Sequence, residues 1–206
     1  LQAPLQAARP ELILASGSAA RAGLLRGAGL VFSVRPAAID EAAVKAAARA
    51  EDATPDETAL LLADLKAARV AAAVPDALVI GADQLLVCDG RWFDKPADLT
   101  EARAHLNALR GRAHVLVTAM VLRRGGARVF QHVSRPRLTM RAFGDAFLDA
   151  FLGIEGEAVL DSVGAYRLEG LGIHLFEAIE GEQSAVLGLA LLPLLGFLRQ
   201  HAVLLD

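Results

Sequence analysis

Glu11-Leu-Ile-Leu-Ala-Ser-Gly-Ser-Ala-Ala-Arg21 is the stretch that decides the architecture of this chain. Its apolar opening stops at Ser16-Gly17-Ser18. Helix-forming residues then run from Ala20 to Arg26 and end at Gly27 and Gly29, so the reading is strand, polar loop, helix. Downstream, Ala77-Leu-Val-Ile-Gly81 is a second continuous apolar run, as expected of a strand covered on both faces, and it is read as ending at Asp83. Leu85 to Val87 carries strand character on to Asp89-Gly90, a two-residue hairpin signal.

Around these two segments strands and helices alternate. Val31 to Arg35 reads as a strand stopped by Pro36, and Ala42 to Ala50 and Glu57 to Ala73 read as helices separated by a breaker at Asp52 to Pro55. Asp98 and Glu101 have capping-box spacing ahead of a helix over Leu99 to Leu109. Val115 to Leu122 and Val129 to Met140 read as a hairpin turning at Arg123 to Arg128, with Pro136 demoting part of the return to an edge. A helix over Asp145 to Leu152, a glycine-rich loop, a strand over His174 to Ile179 and a helix over Leu191 to Gln200 complete the chain. The fold class is α/β with a mixed sheet, in one domain over residues 1–206 whose two lobes share the chain.

Composition narrows the function. The 206 residues are 54% hydrophobic and the mean hydropathy is +0.41, yet the longest uncharged stretch, Gln183 to Leu198, has 16 residues and is broken by Gly188, Pro193 and Gly196. A spanning helix needs about 20, so no membrane is expected. The net charge of -3 and the absence of a concentrated basic stretch argue against a nucleic acid polymer as partner. Cys88, the single cysteine, reads as a small buried hydrophobe in a chain made under reducing conditions. Leu1 to Arg9 lacks an export pattern, and the expected location is the cytoplasm. Of 21 basic residues only Lys45, Lys66 and Lys95 are lysine, which makes the position of each informative.

Ser16-Gly17-Ser18, between a buried strand and a helix N-terminus, suits a phosphate, and Arg21 in the first turn adds a possible charge-assisted fork. The same pattern also describes a plain helix cap with a solvated arginine. Asp40-Glu41 follows a proline-ended strand and Asp83 ends an apolar one, so two carboxylates at strand ends could share a magnesium ion. Asp40 is the more natural helix cap of its pair, and Asp83 must be solvated or paired. Pro96 holds Lys95 extended just before a helix. Lys66 lies in a helix beside Asp64 and Arg69, which also allows a solvated face, but a compact ammonium can follow a phosphate where a guanidinium fork does not fit. Lys45 reads as surface. Glu169, in the glycine-punctuated run Ser162 to Gly172, either accepts hydrogen bonds from a purine edge or is a plain loop residue. His114 and His174 read as core histidines.

Taken in order, these pieces resemble the Maf family of nucleotide pyrophosphatases, also described as septum formation inhibitors. The resemblance runs from Leu12 to about Leu198 through Leu12 to Ser18 with Arg21, Ile39-Asp-Glu41, Leu65-Lys-Ala67, Val79 to Gln84, Lys95-Pro96, Leu109 to His114, Gly164-Ala-Tyr166, Glu169-Gly-Leu-Gly172, and Ser184 to Leu189. It implies an elongated mixed α/β fold similar to inosine triphosphate pyrophosphatases, usually dimeric. It also implies cleavage of a nucleoside triphosphate between the α and β phosphates, using a divalent cation, Mg2+ or Mn2+. On that resemblance Asp83 matches the proton acceptor, Glu41 the second carboxylate at the metal with Asp83, and Ser16, Ser18, Arg21, Lys66 and Lys95 the groups around the phosphates. The chain departs from the family where Ala19 and Ala190 replace a usual proline and Ala22 a usual basic residue.

Substrate choice in the family follows the positions of Ala20, Gln84 and Glu169. Thymidine and uridine triphosphatases of the family carry Arg, Thr and Gln there, and 7-methyl-GTP enzymes carry Trp, Gln and Glu. This chain shares two of the latter three. A carboxylate at 169 can pair with the N1-H and amino group of guanine, while Ala20 offers no aromatic face for a cationic base. The expectation is a 7-methyl-GTP-type pyrophosphatase forming a homodimer, the alternatives being dTTP/UTP cleavage or a non-catalytic nucleotide-binding regulator of division.

Overall fold

The computed structural model describes residues 5–205, so the stretch Leu1 to Arg9 read for an export signal lies partly outside the described residues. From the N-terminus, β1 (Leu12–Leu14) leads through the Ser16–Ser18 loop to α1 (Ala19–Gly27) and β2 (Ser33–Val34). Then α2 (Glu41–Ala50) and α3 (Pro55–Ala71) precede β3 (Leu78–Cys88), which turns into β4 (Arg91–Phe93). After α4 (Leu99–Leu109) come β5 (Ala113–Arg124), β6 (Ala127–Ser134) and β7 (Arg137–Met140). The chain ends with α5 (Asp145–Glu155), three short 3-10 turns between Gly156 and Leu175, β8 (Phe176–Glu180), α6 (Gln183–Val186) and α7 (Leu191–Gln200). The strands form a mixed sheet in the order β2-β1-β3-β5-β7-β8, with β4 on β3 and β6 on β5. β1 is parallel to both neighbours, and the β5–β6, β5–β7 and β7–β8 pairs are antiparallel. Among the described residues no helix is long and apolar enough to cross a membrane.

The chain divides into two compact units. One comprises the chain up to Asp83, Thr118–Ser134, and the chain from Glu182 onward. Its core gathers Leu12, Leu14, Leu78, Ile80, Met120 and Leu122 with Leu25 of α1 and Leu194, Phe197 and Leu198 of α7. Each such side chain contributes about 1.5–3 kcal/mol on burial. α3 starts at Pro55, two residues before the sequence reading, because Thr54 and Glu57 form a reciprocal capping box and Pro55 needs no N–H in the first turn. Against α3 the backbone of β3 approaches closely: a Cβ on Gly81 would lie 2.1 Å from the Ala63 carbonyl oxygen and 2.9 Å from the Ala67 Cβ. Only glycine permits that contact.

The other unit comprises Gln84–Val117 and Arg135–Gly181. Here α4 packs on α5 and the 3-10 turns. The β3–β4 hairpin turns on Asp89 and Gly90 with φ of 48° and 78°, as a tight hairpin of this hand requires. α4 begins after Asp98, whose carboxylate accepts from the Glu101 N–H at 2.8 Å. His114 on β5 is buried and shares a 2.8 Å hydrogen bond with the Tyr166 hydroxyl. Burial lowers the His114 pKa to about 4 and raises that of Tyr166.

Three expectations change. The return over Val129 to Met140 is two strands, because Pro136 cannot donate to the ladder. β6 pairs with β5 from Thr118 to Arg124, and β7 with its start at Ala113 to Val115. β7 is also an inner strand, held by β8 on its other side. Asp83 lies within an eleven-residue strand instead of at its end. His174 is exposed in the last 3-10 turn before β8, so of these two histidines His114 alone is buried.

Candidate active site

Register places the first components. Leu14 is paired with Ile80, and the Ala15 N–H donates to the Ile80 carbonyl at 2.8 Å, which starts the Ser16–Ser18 loop alongside Gly81. Ser18 caps α1 by accepting from the Arg21 N–H, while its own N–H donates to Ser16 Oγ, both at 3.3 Å. The Ser16 hydroxyl also accepts from Arg21 Nη1 at 3.1 Å, and Arg21 Nε donates to the Gly188 carbonyl at 2.8 Å. Gly188 has φ of +100° and a Cβ there would lie 3.3 Å from Arg21 Nε, so a glycine brings this carbonyl to the guanidinium. The cap thus uses one first-turn amide, that of Arg21, and leaves those of Ala19 and Ala20 without an intrahelical acceptor.

Lys66 points inward. Its Nζ lies 2.6 Å from Asp83 Oδ1 and 2.7 Å from Glu41 Oε1, and the Lys66 and Asp83 side chains are only 8% and 5% exposed. The solvated alternative fails because Asp64, on another face of α3, is taken by Arg123: Nε to Oδ1 at 2.6 Å and Nη2 to Oδ2 at 3.0 Å. The close approach at Gly81 then brings α3 down so that Lys66 reaches Asp83 across 17 residues of sequence. That slot suits a small ammonium between two carboxylates, not a planar fork. Burial lowers the Arg21 pKa from its ordinary value, while the negative charges of Asp83 and Glu41 oppose the shift, so all three share one electrostatic environment.

One atom stands out. Among the described residues no group donates to the buried Asp83 Oδ2, although its sister oxygen is tightly paired. A buried carboxylate oxygen without a partner costs free energy unless a ligand or water meets it. Glu41, the first residue of α2, is half-exposed on its side chain, and Asp40 serves as the helix cap, accepting from the Ala43 N–H at 2.9 Å. Two oxygen-donor carboxylates, one with an unused buried oxygen, fit a hard divalent cation that takes one or two protein ligands and completes its shell with phosphates and water.

Ser16, Ser18, Ala20, Arg21, Glu41, Lys66 and Asp83 therefore all lie in the first unit, and the structure joins Ser16 with Arg21 and Glu41 with Lys66 and Asp83. Gln84, Lys95 and Glu169 belong to the second unit. There Lys95 is exposed between β4 and α4, and Glu169 is exposed in a turn. Lys45 is half-buried on α2. The sequence reading missed Gly188 as a holder of Arg21, and also Glu182. The Glu182 carboxylate accepts from the Leu192 N–H at 3.0 Å and from the Ser184 hydroxyl, which itself accepts from the Leu191 N–H at 3.0 Å. Both cap α7, whose preceding residues include Gly188. The Ser-x-x-x-Gly spacing after an acid was the only signal available.

The fold is mixed α/β, with a strand–loop–helix unit of the kind that can receive an anion and a carboxylate–ammonium–carboxylate cluster that shares its electrostatic environment. Comparison with known proteins makes this specific: residues 11–201 match the family described as Maf-like protein, and the chain belongs to that family. It is 56% identical over 194 residues to the nucleoside triphosphate pyrophosphatase of Granulibacter bethesdensis, covering 94% of this chain and 98% of that protein. A nucleoside triphosphate pyrophosphatase of Paramagnetospirillum magneticum is 54% identical, over 93% of this chain and 99% of that one. The 7-methyl-GTP pyrophosphatase of Rhizobium meliloti is 50% identical, over 93% and 96%.

Proposed function

We propose that this chain is a nucleoside triphosphate pyrophosphatase that converts 7-methyl-GTP or a closely related nucleotide to its monophosphate and pyrophosphate. The observation that carries the proposal is the buried Asp83 carboxylate, with Oδ1 fixed by Lys66 and Oδ2 left without a partner. In this reading Oδ2 orients a water for attack at the α-phosphorus and accepts its proton. Lys66 holds Asp83 Oδ1 in place and adds positive charge beside the triphosphate. Arg21, with Nε and Nη1 committed to Gly188 and Ser16, offers Nη2 to a phosphate oxygen, and the Ser16–Ser18 loop adds hydroxyl and amide donors. Glu41 and Asp83 would hold a divalent cation, Mg2+ or Mn2+, which supplies neutralisation of the triphosphate charge when bound.

On the family resemblance we extend this reading to Lys95 at the phosphates, to Ala20, Gln84 and Glu169 in base selection, and to a cytoplasmic homodimer. The test is a panel of 7-methyl-GTP, GTP, UTP and dTTP assayed for pyrophosphate with magnesium or manganese, on the wild type and on Asp83→Asn. The expected result is highest turnover on 7-methyl-GTP and a loss of roughly a hundredfold to ten-thousandfold in Asp83→Asn. Preference for UTP and dTTP would assign the pyrimidine activity instead. Nucleotide binding without pyrophosphate release would make the chain a binding regulator.

A further inference from the structure

The proposed base-reading residue, Glu169, sits at the tip of a turn that is closed from behind. The Gly170 N–H donates to the Arg167 carbonyl at 3.2 Å, which makes Leu168 and Glu169 the two central residues of a four-residue turn. The return is tight: a Cβ on Gly172 would lie 2.3 Å from the Arg167 carbonyl oxygen. Behind this turn lies Glu155, the last residue of α5, whose side chain is only 5% exposed.

Glu155 grips both ends of the turn. Its Oε2 accepts from Arg167 Nη2 at 2.8 Å and from Arg167 Nε at 3.2 Å, and its Oε1 accepts from the Leu171 N–H at 3.3 Å. Gly170 leaves room for this, since a Cβ there would meet Glu155 Oε1 at 3.3 Å. A carboxylate at the C-terminal end of a helix is poorly placed for the helix dipole, and a buried one needs a partner, which Arg167 and the Leu171 N–H supply here. The bond to Glu155 in turn raises the Arg167 pKa. The hydrogen bonds of the Glu155 carboxylate fall on Arg167 and Leu171, which flank the Leu168-Glu169-Gly170 tip, and Glu169 itself is left exposed.

We infer that Glu155 is a positioning residue for base selection: by fixing both ends of the Arg167–Leu171 turn it presents the Glu169 carboxylate to the base at a set distance. This rests on the proposed reading of Glu169. Glu155 touches no substrate. It acts through the turn, so its loss should weaken recognition of the base while leaving the phosphate chemistry alone.

The experiment measures kcat and KM of the full chain on 7-methyl-GTP and on UTP for the wild type, Glu155→Gln and Glu169→Gln, with thermal unfolding of each. In Glu155→Gln the KM for 7-methyl-GTP should rise about tenfold or more, since displacement near an ångström is enough for effects of that order. The KM for UTP and both kcat values should stay near the wild type. Glu169→Gln should raise the KM for 7-methyl-GTP by at least as much and shift discrimination toward UTP. If Glu169→Gln loses discrimination and Glu155→Gln keeps it, the inference is overturned and the base reading stands. If neither variant changes discrimination, the base reading itself fails and takes the inference with it. Equal losses on both substrates in Glu155→Gln would mean a purely structural residue. Should Glu155→Gln not fold, Arg167→Gln alters the more exposed partner and carries the same expected result, and unchanged discrimination there overturns the inference.

Discussion

Replacing Lys66 by methionine removes the ammonium from between two carboxylates and keeps most of the side-chain volume. The two arms of that cluster are unequal. Toward Asp83 the ammonium lies at 2.6 Å with both side chains over nine-tenths buried, whereas Glu41, at 2.7 Å, is 46% exposed. An exposed arm is screened by water and contributes about 0–1 kcal/mol. Stranding Asp83 without its counterion, with Oδ2 already lacking a partner, falls in the range of about 3–5 kcal/mol for breaking a buried pair. For a chain of this size that corresponds to a fall in Tm of roughly 6–20 °C. Glu41→Gln should therefore cost at most about 1 kcal/mol. Urea unfolding of the wild type, Lys66→Met, Glu41→Gln, Asp83→Asn and Lys66→Met/Asp83→Asn supplies a double-mutant cycle for the buried arm. The double variant should recover part of the loss, because a neutral amide no longer needs the ammonium. A Lys66→Met protein as stable as the wild type, or equal costs at Glu41 and Asp83, would refute the view that this pair is one buried unit.

Gly81→Ala places a methyl against the backbone of α3, which no rotamer can relieve. It should destabilise by roughly 3 kcal/mol, the upper end of overpacking effects, and reduce activity by lifting Lys66 from Asp83. Gly23→Ala in α1, with open space around its Cβ, should instead stabilise by about 0.5–1 kcal/mol, so equal behaviour of the two in urea unfolding would contradict the close approach. His114, with a folded pKa of about 4 against an unfolded value near 6.5, gives a stability contribution present above about pH 6.5. That contribution is lost at up to about 1.4 kcal/mol per pH unit as pH falls toward 4, because the unfolded chain takes up the proton first. The stability difference between wild type and His114→Gln should shrink over that window, and a pH-independent difference would contradict a neutral buried imidazole. Lys66→Arg should lower kcat despite conserved charge, because the slot between Asp83 and Glu41 admits an ammonium. Full activity on pyrophosphate release would show that shape does not matter there.

The strand–loop–helix opening was legible because apolar residues, polar break and helix formers follow one another within the sixteen residues from Glu11 to Arg26. α4 and α7 were read with their observed bounds, since capping and apolar patterning are local signals. Asp83 was misplaced to a strand end for a physical reason. A charge interrupting an apolar run resembles a terminus until its counterion is known, and Lys66 lies on a helix that only tertiary packing brings over β3. That packing depends on Gly81 against Ala63 and Ala67, three small residues that look unremarkable in sequence. The scarcity of lysine drew attention to Lys66, whose ammonium lies between Asp83 and Glu41, but it drew equal attention to Lys95, which is exposed. Glu155 and Glu182 escaped notice since their partners are backbone amides together with side chains, Arg167 and Ser184, that only the folded loops bring to them. His174 was misread because an apolar neighbourhood in sequence became a 3-10 turn facing solvent.

In the proposed reaction Asp83 directs water to the α-phosphorus of a nucleoside triphosphate. Hydrolysis of 7-methyl-GTP in 18O-labelled water, with products resolved by mass spectrometry, tests it most directly. One labelled oxygen is expected in the nucleoside monophosphate, with unlabelled pyrophosphate and loss of both products in Asp83→Asn. Label in the pyrophosphate, or release of orthophosphate with a diphosphate, would contradict it.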